Sequence, residues 1–462
     1  MKNKIFSIIF LSAIFIFGSC SKELNTTPFN NIDQNNALKT SSDVEGLLVG
    51  AYADLGAADL YGGGAFVTPD LLGDFNEIFW GGTFQGMTQI KNKAIPVDNG
   101  FVQNTWTGSY KVINDVNNVL SAITVVSAAK QSRVEGEAKF IRGSVYFDLV
   151  RLFAKAWNDG TPAANDGVPL KLTPTVELTG AADQIPRDKV SAVYDQVIKD
   201  LTEAEAKLPA TNGFFATKYS AAAMLARVYL QKRDYAKARD EADKVIKSGK
   251  FKLTQANADG IIEEFLYTRA KAVDNTSEDV FAIQVNTTSG VNTFQTFYSV
   301  LGRGDITLND PHFQLFESND LRLNLFYDDG QGSIYSTKFD NLYGNVHIIR
   351  LAEMYLIRAE ANNRLSTSVG ATPQADINII RNRAGLASLI TVTLDDILKE
   401  RKIELSFEGF TLHDIKRLGV STGYFTGSSI TDGLPFNSPK LIFPIPKRDR
   451  IVNPNLTQNE GY

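Results

Sequence analysis

The chain has 462 residues, 43% of them hydrophobic, and a formal net charge of −5 at neutral pH. A chain of this length can bury a core large enough to fold without cross-links. The mildly acidic balance argues against nucleic acid as a partner, because nucleic-acid binding calls for a basic patch. Cys20 is the only cysteine, so the sequence excludes an internal disulfide and a metal site built from several cysteines.

The N-terminal segment predicts a secretory signal peptide over residues 1–19. Lys2 and Lys4 precede an apolar run over residues 5–17, and a Gly-Ser pair stands directly before Cys20. This order of basic, apolar and small residues is that of a cleavable signal, and the run is shorter than the ~20 residues of a spanning helix. A cysteine at this place is typical of the lipobox of bacterial lipoproteins, so we predict lipidation of Cys20.

The residues after the lipobox predict a tether and then one folded domain. Residues 20–40 are polar and rich in asparagine, which is typical of a flexible linker. No later stretch is apolar enough to cross a bilayer, so we expect the domain over residues 41–462 to be held at the membrane by its lipid. More than one acyl chain makes such an anchor durable.

Helical periodicity dominates the predicted domain. Between Arg133 and Phe153, apolar residues recur every three or four positions, which predicts one helix with an apolar face. Thr372 directly before Pro373 is typical of a helix N-cap followed by the first helical residue. Similar stripes predict helices over 106–126, 187–207, 218–231, 234–247, 348–363, 373–383 and 394–406.

One predicted helix pair has the spacing of a tetratricopeptide repeat. Ala226, Tyr229 and Ala238 fall at the positions where that repeat places small and aromatic residues. The match is degenerate, because Ala242 stands where a phenylalanine is usual. We therefore predict a mostly α fold of tetratricopeptide-like helix pairs. Long loop-rich insertions with minor β structure are expected over 58–105, 279–347 and 415–455.

Seven separated blocks, together with the lipobox, resemble the SusD/RagB family of Bacteroidetes outer-membrane lipoproteins. The blocks are GEAKFIRGSVYFDLVRLFA (136–154), RDKVSAVYDQVIKDLTEAEAKLP (187–209), KYSAAAMLARVYLQKRDYAKA (218–238), IIRLAEMYLIRAEANNRL (348–365), INIIRNRAGL (377–386), LKERKIELSFEGFTLHDIKRLG (398–419) and NPNLTQNEGY (453–462). The resemblance implies a SusD-like helical domain that caps a TonB-dependent, SusC-like transporter at the cell exterior. It also implies capture of nutrients, most often glycans and in some members peptides.

Aromatic residues in the loop-rich segments indicate the ligand site. Aromatic faces suit the C–H side of a pyranose, whereas amides and carboxylates bind hydroxyls. Trp80 lies in a glycine-flanked loop, and we expect it to face solvent in a concave site with Asp74 or Asn76 nearby. Core packing is the alternative for each aromatic. The predicted site residues are Trp80, Phe79, Asp74, Asn76, Phe84, Phe297 and Tyr298.

No enzyme signature stands out in the sequence. The three histidines lie far apart without the H-E-x-x-H spacing, and the G-x-S-x-G motif is missing. Arg303-Gly304-Asp305 spells an adhesion tripeptide, for which chance is the better explanation. We predict a non-catalytic glycan-capturing lipoprotein with no metal and no cofactor. Peptide capture, a tetratricopeptide scaffold of the cell envelope and a surface hydrolase with two facing carboxylates are the alternatives.

Overall fold

The computed structural model describes residues 38–175, 180, 183–265, 275–288, 290–426 and 433–462. The predicted signal peptide, Cys20 and the tether up to residue 37 lie outside these residues. Within the described ranges, no helix combines the length and the apolar character needed to cross a bilayer. The described chain is mostly α-helical with a few short strands, as the sequence predicts.

Fifteen α-helices are present in the described residues. The first eight are α1 (Ser41–Leu55), α2 (Gly64–Gly73), α3 (Gln85–Lys91), α4 (Gly100–Ser121), α5 (Ala128–Phe153), α6 (Val190–Lys207), α7 (Lys218–Gln231) and α8 (Tyr235–Lys247). The others are α9 (Thr293–Tyr298), α10 (Asp310–Phe313), α11 (Leu351–Leu365), α12 (Pro373–Arg383), α13 (Leu394–Glu404), α14 (Thr411–Leu418) and α15 (Lys447–Val452). All seven predicted stripes and the 133–153 stripe fall on helices.

In the part of the chain that the structure describes, six short strands form two antiparallel sheets. They are β1 (Ile78–Trp80), β2 (Asp279–Ile283), β3 (Ile306–Leu308), β4 (Phe326–Asp328), β5 (Ile334–Ser336) and β6 (Val346–Arg350). One sheet has the order β1-β3-β5-β4, and the other pairs β2 with β6. The minor β component predicted within residues 58–105 and 279–347 is therefore present.

Polar caps fix where several helices begin. The Thr40 hydroxyl accepts a hydrogen bond from the Asp43 amide, and the Asp43 carboxylate accepts one from the Thr40 amide at 2.8 Å. This reciprocal pair satisfies two of the amides that a helix start leaves free. The predicted cap at Thr372 is confirmed, because its hydroxyl accepts from the Ala375 amide and Pro373 is the first helical residue.

The tetratricopeptide-like pair predicted from the sequence consists of α7 and α8, which pack against each other. Ala226 and Ala238 are completely buried, and Tyr229 is nearly so. Small residues at these two positions allow close approach of the helices, and Asp234 caps the start of α8. Helix α8 packs in turn against α11, and α5 packs against α6, so the core runs continuously through the helical layers.

Charged residues on the helices form buried ion pairs, among them Glu360, Asp414 and Arg417. The Arg417 guanidinium donates to both oxygens of Glu360 at 2.7 and 2.9 Å and to Asp414 at 2.7 Å. Arg401 donates to the other oxygen of Asp414 at 2.8 Å. Every oxygen of the Glu360 and Asp414 carboxylates accepts a hydrogen bond from a buried arginine, so the role of these two residues is structural.

Candidate ligand-binding cleft

An open cleft of about 390 Å³ lies between the start of α2, helix α3, the first turns of α4 and the segment around α9. We call it the Phe84 cleft. Its volume falls within the ~300–1,000 Å³ range of small-molecule sites. Its walls are mainly apolar, with a few polar groups, and they include Asp59, Phe84, Phe101, Asn104, Thr293, Phe297 and Arg303.

The floor of the cleft is a tight contact between the turn before α2 and the start of α9. The Thr293 amide donates to the Gly62 carbonyl at 2.6 Å, and its hydroxyl donates to the Ala58 carbonyl at 3.1 Å. Gly63 has a φ of +128°, and a Cβ there would lie 2.9 Å from the Cβ of Thr293. Only glycine adopts this positive φ without strain and leaves room for Thr293. Gly63 therefore allows the two backbone segments to pack closely.

Three phenylalanine rings form the aromatic wall of the cleft. The Phe84 ring meets Phe101 and Phe297 edge to face, with centroids 5.8 and 6.1 Å away. Phe297 is buried, whereas Phe84 is 41% exposed. Of the predicted site residues, Phe84 and Phe297 therefore line the cleft, and Phe84 presents the accessible ring.

Arg303 lies against this wall. Its guanidinium carbon is 4.4 Å from the centre of the Phe84 ring, which is within the range of a cation–π contact. Its Nε donates to Asp305 at 2.6 Å and its Nη2 to the Thr83 hydroxyl at 3.2 Å. The side chain remains 40% exposed, so a ligand in the cleft can reach the guanidinium.

A carboxylate and an amide form the polar part of the lining. Asp59 is half-buried and accepts a hydrogen bond from the exposed Asn104 side chain. Burial raises the pKa of Asp59 above its ordinary value, and the Asn104 hydrogen bond partly offsets this rise. Both side chains can exchange their present contacts for hydroxyl groups of a ligand, because each keeps access to solvent.

Trp80 does not face solvent, and the expectation that it does is wrong. The residue lies on β1, opposite Ile306 of β3, and is 9% exposed. Its indole Nε1 donates to the Thr88 hydroxyl at 2.9 Å, and its ring packs against Phe297 at 5.6 Å. Although two glycines follow Trp80, the residue belongs to a strand and not to a loop. Antiparallel pairing with β3 directs its indole towards the interior.

Asp74 is also buried, in contrast to the expectation that it reaches a ligand. Its carboxylate accepts the amides of Asn76, Glu77 and Ile78, each at 2.9 Å, and pairs with Lys91 at 2.5 Å. These contacts occupy the carboxylate completely. Asn76 is exposed and adopts a positive φ of 76°, which is the backbone conformation of a turn rather than of a strand.

The two remaining predicted residues differ in exposure. Phe79 points to the opposite face of β1 from Trp80 and is 56% exposed, but it does not belong to the lining of the cleft. Tyr298 is completely buried among Phe294, Phe339 and Phe407. Burial raises the pKa of the Tyr298 phenol well above its ordinary value. Tyr298 is thus part of the core beneath the cleft.

Among the lining residues that sequence reasoning missed are Asp59, Phe101, Asn104 and Arg303. Three of them lie within the aromatic-rich segment 58–105, but no spacing links Asp59 to the first turn of α4. Arg303 stands in the tripeptide that was assigned to chance. Its position opposite Phe84 follows from the pairing of β1 with β3, which the sequence pattern does not reveal.

Among the described residues, Glu264, Asp279 and His347 are a group whose side chains could hold a metal ion. One possible ligand atom from each lies within 4.8 Å of the others. Glu264 is on a 3-10 turn, Asp279 begins β2 and His347 is on β6. The group is not part of the lining of the Phe84 cleft.

Two family models match separate parts of the chain. Residues 29–230 match a model described as "Starch-binding associating with outer membrane", and residues 321–462 match the model of the SusD family. The two matched ranges lie at opposite ends of the predicted domain and together contain most of its helices. Both models point to one family.

Curated relatives and solved structures agree with these matches. The chain is 26% identical to SusD-like protein P2 of Formosa agariphila, covering 99% of this chain and 100% of that protein. It is 32% identical to the starch-binding protein SusD of Bacteroides thetaiotaomicron, over 30% of this chain and 24% of that protein. A putative sugar-binding protein of Bacteroides vulgatus superposes with a TM-score of 0.79 at 26% identity, covering 92% of this chain and 99% of that one.

Proposed function

Because this chain belongs to the SusD/RagB family, we propose that it is a non-catalytic lipoprotein that captures glycans at the cell surface. The single observation that supports capture best is the Phe84 cleft, where an accessible aromatic ring faces a mainly apolar space of about 390 Å³. An exposed aromatic face suits the C–H side of a sugar ring. Names of relatives that refer to starch and sugar binding point in the same direction.

The polar groups of the cleft suit sugar hydroxyls. Asp59 supplies a carboxylate, Asn104 supplies an amide with donor and acceptor, and Arg303 supplies several N–H donors. All three border the open cleft, so each can exchange water or a present protein contact for a hydroxyl group of a ligand. We propose Phe84 as the stacking residue and these three side chains as the hydrogen-bonding groups.

The test compares two exposed phenylalanines. Phe84 is 41% exposed in the cleft, and Phe214 is 50% exposed but does not line it. Purified wild-type protein, Phe84→Ala and Phe214→Ala are titrated against a panel of oligosaccharides that includes starch fragments. We expect Phe84→Ala to weaken binding at least tenfold, because few residues dominate small interfaces, and Phe214→Ala to bind as the wild type does. Equal binding by both variants would contradict the assignment of the cleft.

Peptide capture is the alternative within the same family. The cleft has one cation, Arg303, and one carboxylate, Asp59, among its lining residues, and opposite charges suit the termini of a short peptide. Unlabelled peptide mixtures therefore belong in the same panel. Saturable binding of peptides with no response to any glycan would favour this alternative.

The arrangement of the aromatic wall argues against a tetratricopeptide scaffold. Phe84 stands directly before α3, Phe101 lies in the first turn of α4, and Phe297 lies on the short α9. These three residues cluster at helix ends, whereas a scaffold would bind its partners along a concave helical groove.

The carboxylates of the cleft argue against a hydrolase. Asp59 is the one carboxylate in the described lining, whereas a glycosidase of the common type needs two.

We further propose that the chain is anchored at the outer membrane through lipidated Cys20 and faces the exterior. There it would pass its ligand to a TonB-dependent, SusC-like transporter. Gentle detergent extraction and capture of the tagged lipoprotein should bring down a barrel protein larger than this chain. Repeated recovery of the lipoprotein alone, with its cleft still able to bind glycan, would count against the transporter and leave capture intact.

A further inference from the structure

We propose that Glu264, Asp279 and His347 bind a divalent transition-metal cation of the zinc class. The three residues come from separate elements that converge: the turn Glu263–Phe265, the first residue of β2 and the second residue of β6. Their side chains are 0%, 0% and 6% exposed. The sequence analysis expected no metal site and did not consider this group, whose members are 15 and 68 positions apart (279 − 264 and 347 − 279).

The distances suit a small cation. Nδ1 of His347 lies 2.6 Å from Oδ1 of Asp279 and 3.3 Å from Oε1 of Glu264. Bonds of about 2.0–2.2 Å in a tetrahedral zinc site place neighbouring ligand atoms ~3.4 Å apart. The Glu264 oxygen is already at that separation, and the Asp279 oxygen needs to move by less than ~1 Å. Nδ1 of His347 and Oδ1 of Asp279 are joined by a hydrogen bond, so an ion between the three atoms would replace the proton of that bond, release it to solvent and require rotation of the side chains.

A second observation points to a ligand for this group. Oε1 of Glu264 is buried and has no hydrogen-bond partner among the described residues, and its contact with His347 lacks hydrogen-bonding geometry. Leaving a buried carboxylate oxygen unsatisfied is costly. A cation between the three side chains would satisfy this oxygen.

Thr276 orients both carboxylates. Its hydroxyl donates to Oε2 of Glu264 at 2.5 Å, and its amide donates to Oδ2 of Asp279 at 2.9 Å. The oxygens that Thr276 leaves available, Oε1 and Oδ1, are the two that face His347. Support of this kind around metal ligands fixes their orientation and is typical of true sites.

The neighbouring carboxylate, Glu278, is not a competing ligand. Its oxygens accept from Arg350 at 2.6 Å and from Arg383 at 2.7 Å. The proposed site thus has one imidazole and two carboxylates, a donor set that suits zinc and related transition metals better than calcium.

The test uses the mature chain with Cys20→Ala and without a polyhistidine tag, so that neither thiol nor tag binds the probe. After treatment with chelator, Zn²⁺ is added in a calorimetric titration. The matched variants are Glu264→Gln and Glu263→Gln, since Glu263 is the exposed neighbour. We expect one ion per chain, at least tenfold weaker binding by Glu264→Gln, and unchanged binding by Glu263→Gln.

A measurement on the wild type keeps the proposal testable if Glu264→Gln does not fold. The chain has three histidines, so nitrogen-15 spectra of the imidazoles resolve them. Zn²⁺ should shift the His347 signals and leave those of buried His312 and His413 unchanged. Absence of saturable Zn²⁺ binding, an unmoved His347, or binding of Ca²⁺ in place of Zn²⁺ would each overturn the proposal.

Discussion

The indole Nε1 of Trp80 donates a 2.9 Å hydrogen bond to the Thr88 hydroxyl, which joins strand β1 to helix α3. Phe84 stands between these two elements, as the N-cap residue of α3. The bond therefore fixes the segment that presents the exposed Phe84 ring. Trp80 supports the cleft from below, and Phe84 forms its accessible wall.

The first prediction separates the stability roles of these two aromatics. Trp80→Ala should lower the free energy of unfolding by ~3–5 kcal/mol, because it removes a large buried side chain and leaves a cavity. Phe84→Ala should change it by less than ~1 kcal/mol, since its ring is 41% exposed. Urea denaturation of both variants measures the difference. An unchanged unfolding midpoint for Trp80→Ala would contradict the buried role.

The sequence predicted the helical frame well and the site only in part. Helices such as α5 and α11 are long and periodic, so their apolar faces can be identified without knowing their neighbours. Burial of Trp80 depends on the pairing of β1 with β3, whose residues lie more than 200 positions apart. Local composition around Trp80 resembles a loop, and only this long-range pairing makes it a strand.

Long-range contacts also explain why the sequence analysis missed several lining residues of the cleft. Arg303 contacts Phe84 across more than 200 positions, and Asp59 meets Asn104 because α4 packs near the turn before α2. Neither contact has a spacing that could be recognised. Phe84 and Phe297 were predicted from loop composition, and the structure brings both to one wall.

The second prediction concerns the buried pair of Glu360 and Arg417. Glu360→Gln should lower the free energy of unfolding by ~3–5 kcal/mol, because buried Arg417 would lose one of its two carboxylate partners and keep only Asp414. The control is Glu317→Gln, whose partner contact with Arg381 at 2.9 Å is half-exposed on the Glu317 side. Exposed pairs contribute at most ~1 kcal/mol. If the two variants lost similar free energies of unfolding, burial of the ion pair would not determine the size of the loss, and the prediction would be wrong.

The third prediction is a pH dependence that arises from Glu77. Burial opposes ionisation of this carboxyl, but Lys402 at 2.9 Å and His312 at 3.0 Å outweigh it and lower the pKa to about 2 from its ordinary value of 4.5. A carboxyl with a depressed pKa in the folded state stabilises the fold above its unfolded pKa. That contribution, about 3 kcal/mol, should be lost as the pH falls from about 4.5 to about 2.

Denaturation curves at several pH values between 5 and 2 measure this effect. The wild type should lose stability more steeply than Glu77→Gln, which has no carboxyl to protonate at this position. The variant should be less stable at pH 5, because Lys402 is then buried without its partner. Parallel pH profiles for the two proteins would refute the assignment to Glu77.

The last prediction concerns the anchor. Cys20→Ala should move the protein from the membrane pellet to soluble fractions, because an acylated cysteine is the proposed attachment. Ser21→Ala, one position later, is the control and should remain in the pellet. Fractionation after a high-salt wash removes proteins that are held by charge alone.

If Cys20→Ala stays in the washed pellet while its cleft still binds glycan, the proposal of a lipid anchor is wrong and the proposed binding function stands. If Cys20→Ala becomes soluble and Ser21→Ala does not, the thiol of Cys20 is what holds the domain at the membrane.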